Sequence, residues 1–219
     1  MDSVNILVTR PRYDLPTTYL HFFSGELIKL LEGVGEYNII NLHEDRALRK
    51  NFEKVINKKK PRLMILNGHG SKNAVYGHKE PILDERNIHI LESSIVYAVA
   101  CDSAYNLGDI AIEKGKADSY IGYESHFMVI IDKSKTTTLH KDKNIKPFQS
   151  VYMHLTLQII SGLTVGESVD RTKKFIESLI REYGVEGVRD KFGDAPLIRF
   201  ALYWNLFFLG YHGEPSVKM

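Results

Sequence analysis

The fold is decided by two stretches, LMILNGHGS (residues 63–71) and IVYAVACDSA (residues 95–104). Each begins with a short continuous apolar run, which is typical of a strand buried on both faces of a parallel sheet. The first run ends at His69, which has a glycine on either side, and the second ends at Cys101. If the two strands are parallel neighbours, His69 and Cys101 emerge together at the carboxyl edge of the sheet, where open α/β proteins bind ligands.

A cysteine and a histidine at one sheet edge indicate nucleophilic catalysis. A thiol is a weak nucleophile near neutral pH until an imidazole takes its proton or a positive field stabilises the thiolate. Gly70 has no side chain to shield its N–H group. Together with the N–H group of Cys101, it is a candidate oxyanion hole for a carbonyl that the thiolate attacks.

These motifs resemble the catalytic motifs of the caspase–haemoglobinase-fold (clan CD) cysteine peptidases, and the gingipain and CHAT-domain branch most of all. Two further segments are similar to elements of that branch: GLTVGES (residues 162–168), which opens a helix, and FFLGYHGEPS (residues 207–216) near the end of the chain. In the second segment, Glu214 replaces the usual Asp. The resemblance implies a cysteine endopeptidase with His69 and Cys101 as catalytic residues and no cofactor.

The resemblance also suggests supporting residues. Asp14 follows the first strand and resembles in position an acid that orients the histidine in some gingipain-like enzymes, although an ordinary turn aspartate fits equally well. Tyr123 and Glu124 follow the strand after the cysteine, where the clan builds its substrate pocket. Glu124 would then face a basic residue before the scissile bond, or it simply caps a strand. We expect a protein or peptide substrate and consider a regulatory protein partner.

Composition limits the other classes. The 219 residues are 43% hydrophobic and are expected to form a single domain over residues 1–219. A net charge of +2 gives no general attraction to nucleic acid. No apolar run is long enough to span a membrane, and the N-terminal residues do not resemble a signal peptide. A single cysteine suits a reducing compartment, so we expect a cytoplasmic protein without a membrane partner.

Strands alternate with helices through most of the chain, which predicts an α/β fold, a three-layer α/β/α sandwich with a mostly parallel, caspase-like sheet. We expect a small hairpin between residues 72 and 86 and a helix directly after Cys101, whose dipole would lower the pKa of the thiol. Further strands are predicted at residues 128–131 and within residues 202–209. The lysine-rich segment 132–147 is expected to be an exposed loop, and it is a candidate for self-cleavage or for a flap over the site.

Other functions remain as alternatives. The chain could be a catalytically silent scaffold of this fold that only binds partners, or a Rossmann-like domain, although no G-x-G-x-x-G motif follows its first strand. It has no H-E-x-x-H motif and only one cysteine, which disfavours a metal site. It also lacks the G-x-S-x-G motif of serine hydrolases and the G-x-x-x-x-G-K-[ST] motif of P-loop enzymes.

Overall fold

The computed structural model describes residues 4–185, 191 and 193–219. Within them, the chain forms a six-stranded central sheet. Its strands are β1 (Val4–Arg10), β2 (Tyr37–His43), β3 (Leu63–Asn67), β7 (Ile95–Val99), β8 (Ser119–Tyr123) and β9 (Leu209–Gly213). The strand order is β2-β1-β3-β7-β8-β9, and every neighbouring pair is parallel except β8 and β9. The predicted mostly parallel sheet is confirmed.

Helices cover both faces of this sheet. They are α1 (Leu15–Val34), α2 (Arg49–Lys59), α3 (Leu107–Glu113), α4 (Lys146–Ile160), α5 (Val165–Glu182) and α6 (Ala195–Phe208). One buried cluster joins one face of the sheet to α1, α4, α5 and α6, and a second joins the opposite face to α2 and α3. Two cores on either side of one sheet make a three-layer α/β/α sandwich, as predicted.

A second, smaller sheet lies beside the end of β3. It contains β4 (Gly70–Ser71), β5 (Ala74–Tyr76) and β6 (Pro81–Asp84), paired antiparallel in that order. Val75 and Leu83 of this sheet are fully buried in the same core as α2 and α3. The hairpin expected between residues 72 and 86 is therefore present, and it packs on the body of the protein.

Two strand predictions were wrong. Residues 126–132 have no regular secondary structure. The side chain of Asn205, in α6, accepts a hydrogen bond of 2.9 Å from the N–H of Met128 and donates one of 2.8 Å to its carbonyl oxygen. The side chain of Asn205 thus makes the two backbone hydrogen bonds that a neighbouring strand would otherwise make. Residues 202–208 form the end of α6 instead of a strand, and the last strand, β9, begins only at Leu209.

The segment 132–147 is more ordered than its composition predicts. It contains two short 3₁₀ turns, Lys133–Lys135 and Leu139–Lys141. The carboxylate of Asp142, which is only 1% exposed, accepts hydrogen bonds from the hydroxyl of Tyr19 and from the N–H groups of Asp132 and Asn144. These hydrogen bonds hold both ends of the segment in place. Only the part between them, residues 133–141, corresponds to the exposed loop that the sequence predicts.

None of the helices in the described ranges is both long and apolar enough to cross a membrane.

Candidate active site

The two motifs of the sequence meet at the carboxyl edge of the sheet. Strands β3 and β7 are parallel neighbours, and their last residues, Asn67 and Val99, are paired in register. His69 lies two residues beyond the first strand and Cys101 two residues beyond the second. Both side chains line one cavity of about 200 Å³. The predicted juxtaposition of His69 and Cys101 at this edge is present.

His69 is held by Asp14. Nε2 of the imidazole lies 2.6 Å from Oδ2 of the Asp14 carboxylate. Because an ionised carboxylate only accepts hydrogen bonds, Nε2 carries the proton of the neutral ring, and Nδ1 has the free lone pair. The ring of Tyr13 lies 6.0 Å away, between centroids, and limits the space around the imidazole. Asp14 therefore orients the imidazole in the tautomer that leaves Nδ1 free to act as a base, and Cys101 lines the same cavity as His69.

Asp14 is fixed because it is also the N-cap of α1. Its Oδ1 accepts hydrogen bonds from the N–H of Thr17 at 3.0 Å and from the Thr17 hydroxyl at 2.7 Å. The N–H of Asp14 donates to the same hydroxyl at 3.2 Å and completes a capping box. Burial alone would raise the pKa of Asp14, but the hydrogen bonds from Thr17 and His69 together hold it below its usual value. The carboxylate thus stays ionised beside the imidazole at neutral pH.

Cys101 lies in a less activating environment than the sequence predicts. Burial raises the pKa of its thiol above the ordinary value, the backbone N–H of Phe127 acts in the opposite direction, and the charge of Asp102 raises the pKa further. The predicted helix after Cys101 is present as α3, but it begins at Leu107, and residues 101–106 form turns between the thiol and its first residue. Ionisation of Cys101 would therefore depend on a base such as His69 more than on a helix dipole.

Gly70 packs against the backbone of Cys101. A Cβ atom at Gly70 would lie 2.1 Å from the carbonyl oxygen of Cys101 and 2.7 Å from its nitrogen. No side chain fits between two backbones at such distances. The two N–H groups predicted to form an oxyanion hole therefore belong to adjoining backbone segments. The assignment of an oxyanion hole to Gly70 and Cys101 stays a prediction.

A tight turn follows Cys101. Asp102 has a φ of 60°, which is unusual for a residue other than glycine and occurs mostly at turns and functional sites. Its N–H donates a hydrogen bond of 3.0 Å to the carbonyl oxygen of Ser125, and the N–H of Ala104 donates one of 3.2 Å to that of Tyr123. These bonds tie the turn to the end of β8, so Cys101 is presented from a fixed backbone.

The two predicted specificity residues do not join this group. Tyr123 is fully buried, and its ring packs on Phe127 with centroids 4.8 Å apart. Glu124 is exposed, and its Oε1 lies near Gly210 of β9. Neither residue lines the cavity that His69 and Cys101 share. Glu124 is therefore not placed to contact a substrate side chain that enters this cavity.

Sequence reasoning missed several residues of the site. Thr17 holds Asp14, and the spacing Asp-x-x-Thr before an apolar helix was the signal that could have revealed it. Phe127, Val129 and Ile131 all line the cavity. Their alternation along an extended segment could have identified them as one face, although the segment forms no strand.

No group of three or more histidine, cysteine or acidic side chains within the described ranges is arranged to hold a metal ion. No family model matches the chain, and no curated protein matches its sequence.

Proposed function

We propose that the chain is a cysteine endopeptidase, a hydrolase of peptide bonds, in which His69 and Cys101 form the catalytic dyad. The observation that carries the proposal is the arrangement of three groups at one sheet edge. The carboxylate of Asp14 binds Nε2 of His69, and His69 shares a cavity with the protein's single thiol. An oriented base beside a nucleophile is the general signature of covalent catalysis.

The proposed mechanism has two steps. Nδ1 of His69 takes the proton of the Cys101 thiol, and the sulfur forms a bond to the carbonyl carbon of the substrate. The imidazolium then gives its proton to the nitrogen of the leaving amine as the peptide bond breaks, and an acyl-enzyme thioester remains. In the second step, His69 takes a proton from water, the hydroxide attacks the thioester, and the carboxylic acid and the thiol are regenerated.

Electrostatics supports separate roles for the other residues. The imidazolium that forms in each step is stabilised by the ionised carboxylate of Asp14, so Asp14 would be a positioning residue. The N–H groups of Gly70 and Cys101 are proposed to donate to the oxyanion of each tetrahedral intermediate. The preference for a basic residue through Glu124 rests only on the resemblance, since Glu124 lies outside the cavity.

A second candidate function is a catalytically silent scaffold that binds protein partners. The specific observation in its favour is that burial and the neighbouring Asp102 both raise the pKa of Cys101. A scaffold does not require the contact between His69 and Asp14, and this contact favours the enzyme. A protein substrate, a regulatory protein partner and a cytoplasmic location are part of the proposal, the last because the lone thiol suits a reducing compartment.

Cleavage of a mixture of peptides tests the proposal. The purified wild-type protein is expected to cut peptide bonds, with new termini detected by mass spectrometry, and Cys101→Ala is expected to cut none. Cys101→Ser is the matched control, because it keeps the size of the side chain and weakens the nucleophile. Equal cleavage by the wild type and by both variants would assign the activity to a contaminant, and a folded wild type that cuts nothing would favour the scaffold.

A further inference from the structure

The cavity beside the dyad has apolar walls. The walls include Leu15 and Tyr19 of α1, Val99 at the end of β7, and Phe127, Val129 and Ile131 of the irregular segment. Cys101 and His69 belong to the same lining. A substrate whose carbonyl carbon is at the sulfur of Cys101 must place a neighbouring side chain against these walls. The cavity is therefore positioned to select the residue that precedes the scissile bond.

The walls are held in place by hydrogen bonds outside the cavity. Asn205 bonds both backbone groups of Met128 and fixes the middle of the segment that carries Phe127 and Val129. The hydroxyl of Tyr19 donates to the buried carboxylate of Asp142, at 3.1 Å. That carboxylate also accepts from the N–H of Asp132, next to Ile131. Because these hydrogen bonds hold both parts of the lining in place, the apolar surface is already formed before a substrate binds. Binding then costs little conformational entropy.

The described residues that line the cavity offer no partner for a charged side chain. None of them carries a carboxylate, an ammonium or a guanidinium group. Two carboxylates contact residues of the lining, and both are already engaged: Asp14 receives hydrogen bonds from Thr17 and His69, and Asp142 receives them from Tyr19 and from two backbone N–H groups. A lysine, arginine or aspartate side chain would lose water there without gaining an opposite charge, which is unfavourable. An aliphatic side chain would lose only contact with water.

We infer that this cavity selects an apolar residue such as leucine immediately before the scissile bond, instead of the basic residue predicted from Glu124. The inference rests on the proposed peptidase function and names its substrate class. It assigns the selection to the walls formed by α1 and by residues 127–131. Glu124 then has no part in choosing the side chain that enters this cavity.

A set of peptides that differ only at this position tests the inference. We expect kcat/KM for the leucine peptide to exceed that for the arginine and aspartate peptides by about 10- to 200-fold, the range that a hydrophobic pocket provides. A glycine peptide should also be poor, because it leaves the walls unfilled. An arginine or aspartate peptide that is cut as fast as the leucine peptide would overturn the inference.

Two substitutions locate the selecting surface. Val129→Glu places a carboxylate in the wall and is expected to raise the ratio of arginine to leucine cleavage at least 10-fold. Leu15→Glu is the second variant, since an acidic residue in the first turn of a helix favours folding. Glu124→Gln is the matched control and should leave the ratio unchanged. A ratio that changes with Glu124→Gln and with neither wall variant would assign selection to Glu124 and overturn the inference.

Peptide aldehydes separate this inference from the proposed function, because the thiol of Cys101 adds reversibly to the aldehyde carbon and its proton passes to the aldehyde oxygen, giving a thiohemiacetal without cleavage of a peptide bond. A peptide ending in leucinal should bind at least 10-fold more tightly than one ending in argininal, and Cys101→Ala should remove the difference. If argininal binds more tightly in a Cys101-dependent way, the function stands and the apolar selection fails. If no peptide is cut and neither aldehyde binds, the function fails and the inference with it.

Discussion

The carboxylate of Asp14 lies 2.6 Å from Nε2 of His69, although 55 residues separate them in the chain. The same carboxylate caps α1 through Thr17. One side chain therefore both begins a helix and orients the proposed base, so the direction of the imidazole depends on where α1 starts.

Asp14→Asn separates these two roles. Asparagine caps a helix about as well as aspartate, so the free energy of unfolding should change by less than about 1 kcal/mol. The amide can no longer stabilise an imidazolium or enforce the tautomer, and kcat/KM should fall by about 10- to 100-fold. Peptide cleavage and urea unfolding measure the two effects. Undiminished turnover in a stable Asp14→Asn protein would make Asp14 an ordinary capping residue.

Gly70→Ala tests the close approach of the two motifs. Its Cβ would meet the backbone of Cys101 at 2.1 Å, so the variant should lose about 1–3 kcal/mol of stability and most of its activity. Gly33→Ala, a substitution of the same type, is the control. Gly33 lies within α1, and a Cβ atom added there would have none of the described atoms within 4 Å. It should stabilise the protein by about 0.5–1 kcal/mol with unchanged turnover. An active, stable Gly70→Ala protein would contradict the described packing.

Asp84 gives the protein a dependence on pH away from the site. Burial would raise its pKa, but hydrogen bonds from Arg86 and Arg49 outweigh burial and hold the pKa well below the ordinary range. Because the folded pKa lies below the unfolded value of about 3.9, the stabilisation is present above that pH and is lost as the pH falls below it.

Urea unfolding of Asp84→Asn measures this contribution. At pH 7 the free energy of unfolding of the variant should be about 1–2 kcal/mol lower than that of the wild type. This difference should shrink below about pH 4. Glu85→Gln is the control, since the pair of Glu85 with Lys114 is exposed and its loss should leave the free energy of unfolding nearly unchanged. A difference that is independent of pH would exclude ionisation of Asp84 as its cause.

The middle of the loop, residues 133–141, offers one site for self-cleavage. Its single aliphatic residue, Leu139, is partly buried against the main core, so a protein that selects apolar side chains should cut itself after Leu139 only when the loop opens, slowly and at high protein concentration. Selection of basic residues would place the cut after a lysine, and the intact mass of the fragments distinguishes the two. Cys101→Ala should remain whole. A fully active wild type that stays uncut would remove self-processing and leave the dyad untouched.

The sequence predicted the parts of this molecule that depend on local pattern. The apolar runs before His69 and Cys101 identified two buried strands, and the parallel rule placed their ends together. The segment around Met128 could not be predicted, because its hydrogen-bond partner is a side chain 77 residues later, Asn205. The end of α6 was mistaken for a strand because its residues, apart from Asn205, are apolar or aromatic. Continuous apolar runs are usually buried, but Phe207 in this part of the helix is 79% exposed.

The site was predicted less completely than the strands. The nucleophile and base follow strand ends, whereas the cavity walls come from α1 and an irregular segment, and only the tertiary fold brings them together. The pKa of Cys101 was predicted in the wrong direction, because burial depends on packing that no local motif encodes.

The rate at which iodoacetamide alkylates Cys101, measured from pH 6 to 10 in the wild type and in His69→Ala, tests the central claim most directly. At pH 7 the wild-type thiol should react faster than the thiol of His69→Ala, because His69 takes its proton as the sulfur attacks. In His69→Ala the thiol should react more slowly than N-acetylcysteine and recover only at alkaline pH, because burial raises its pKa. Equal rates in the two proteins across this range would contradict the dyad.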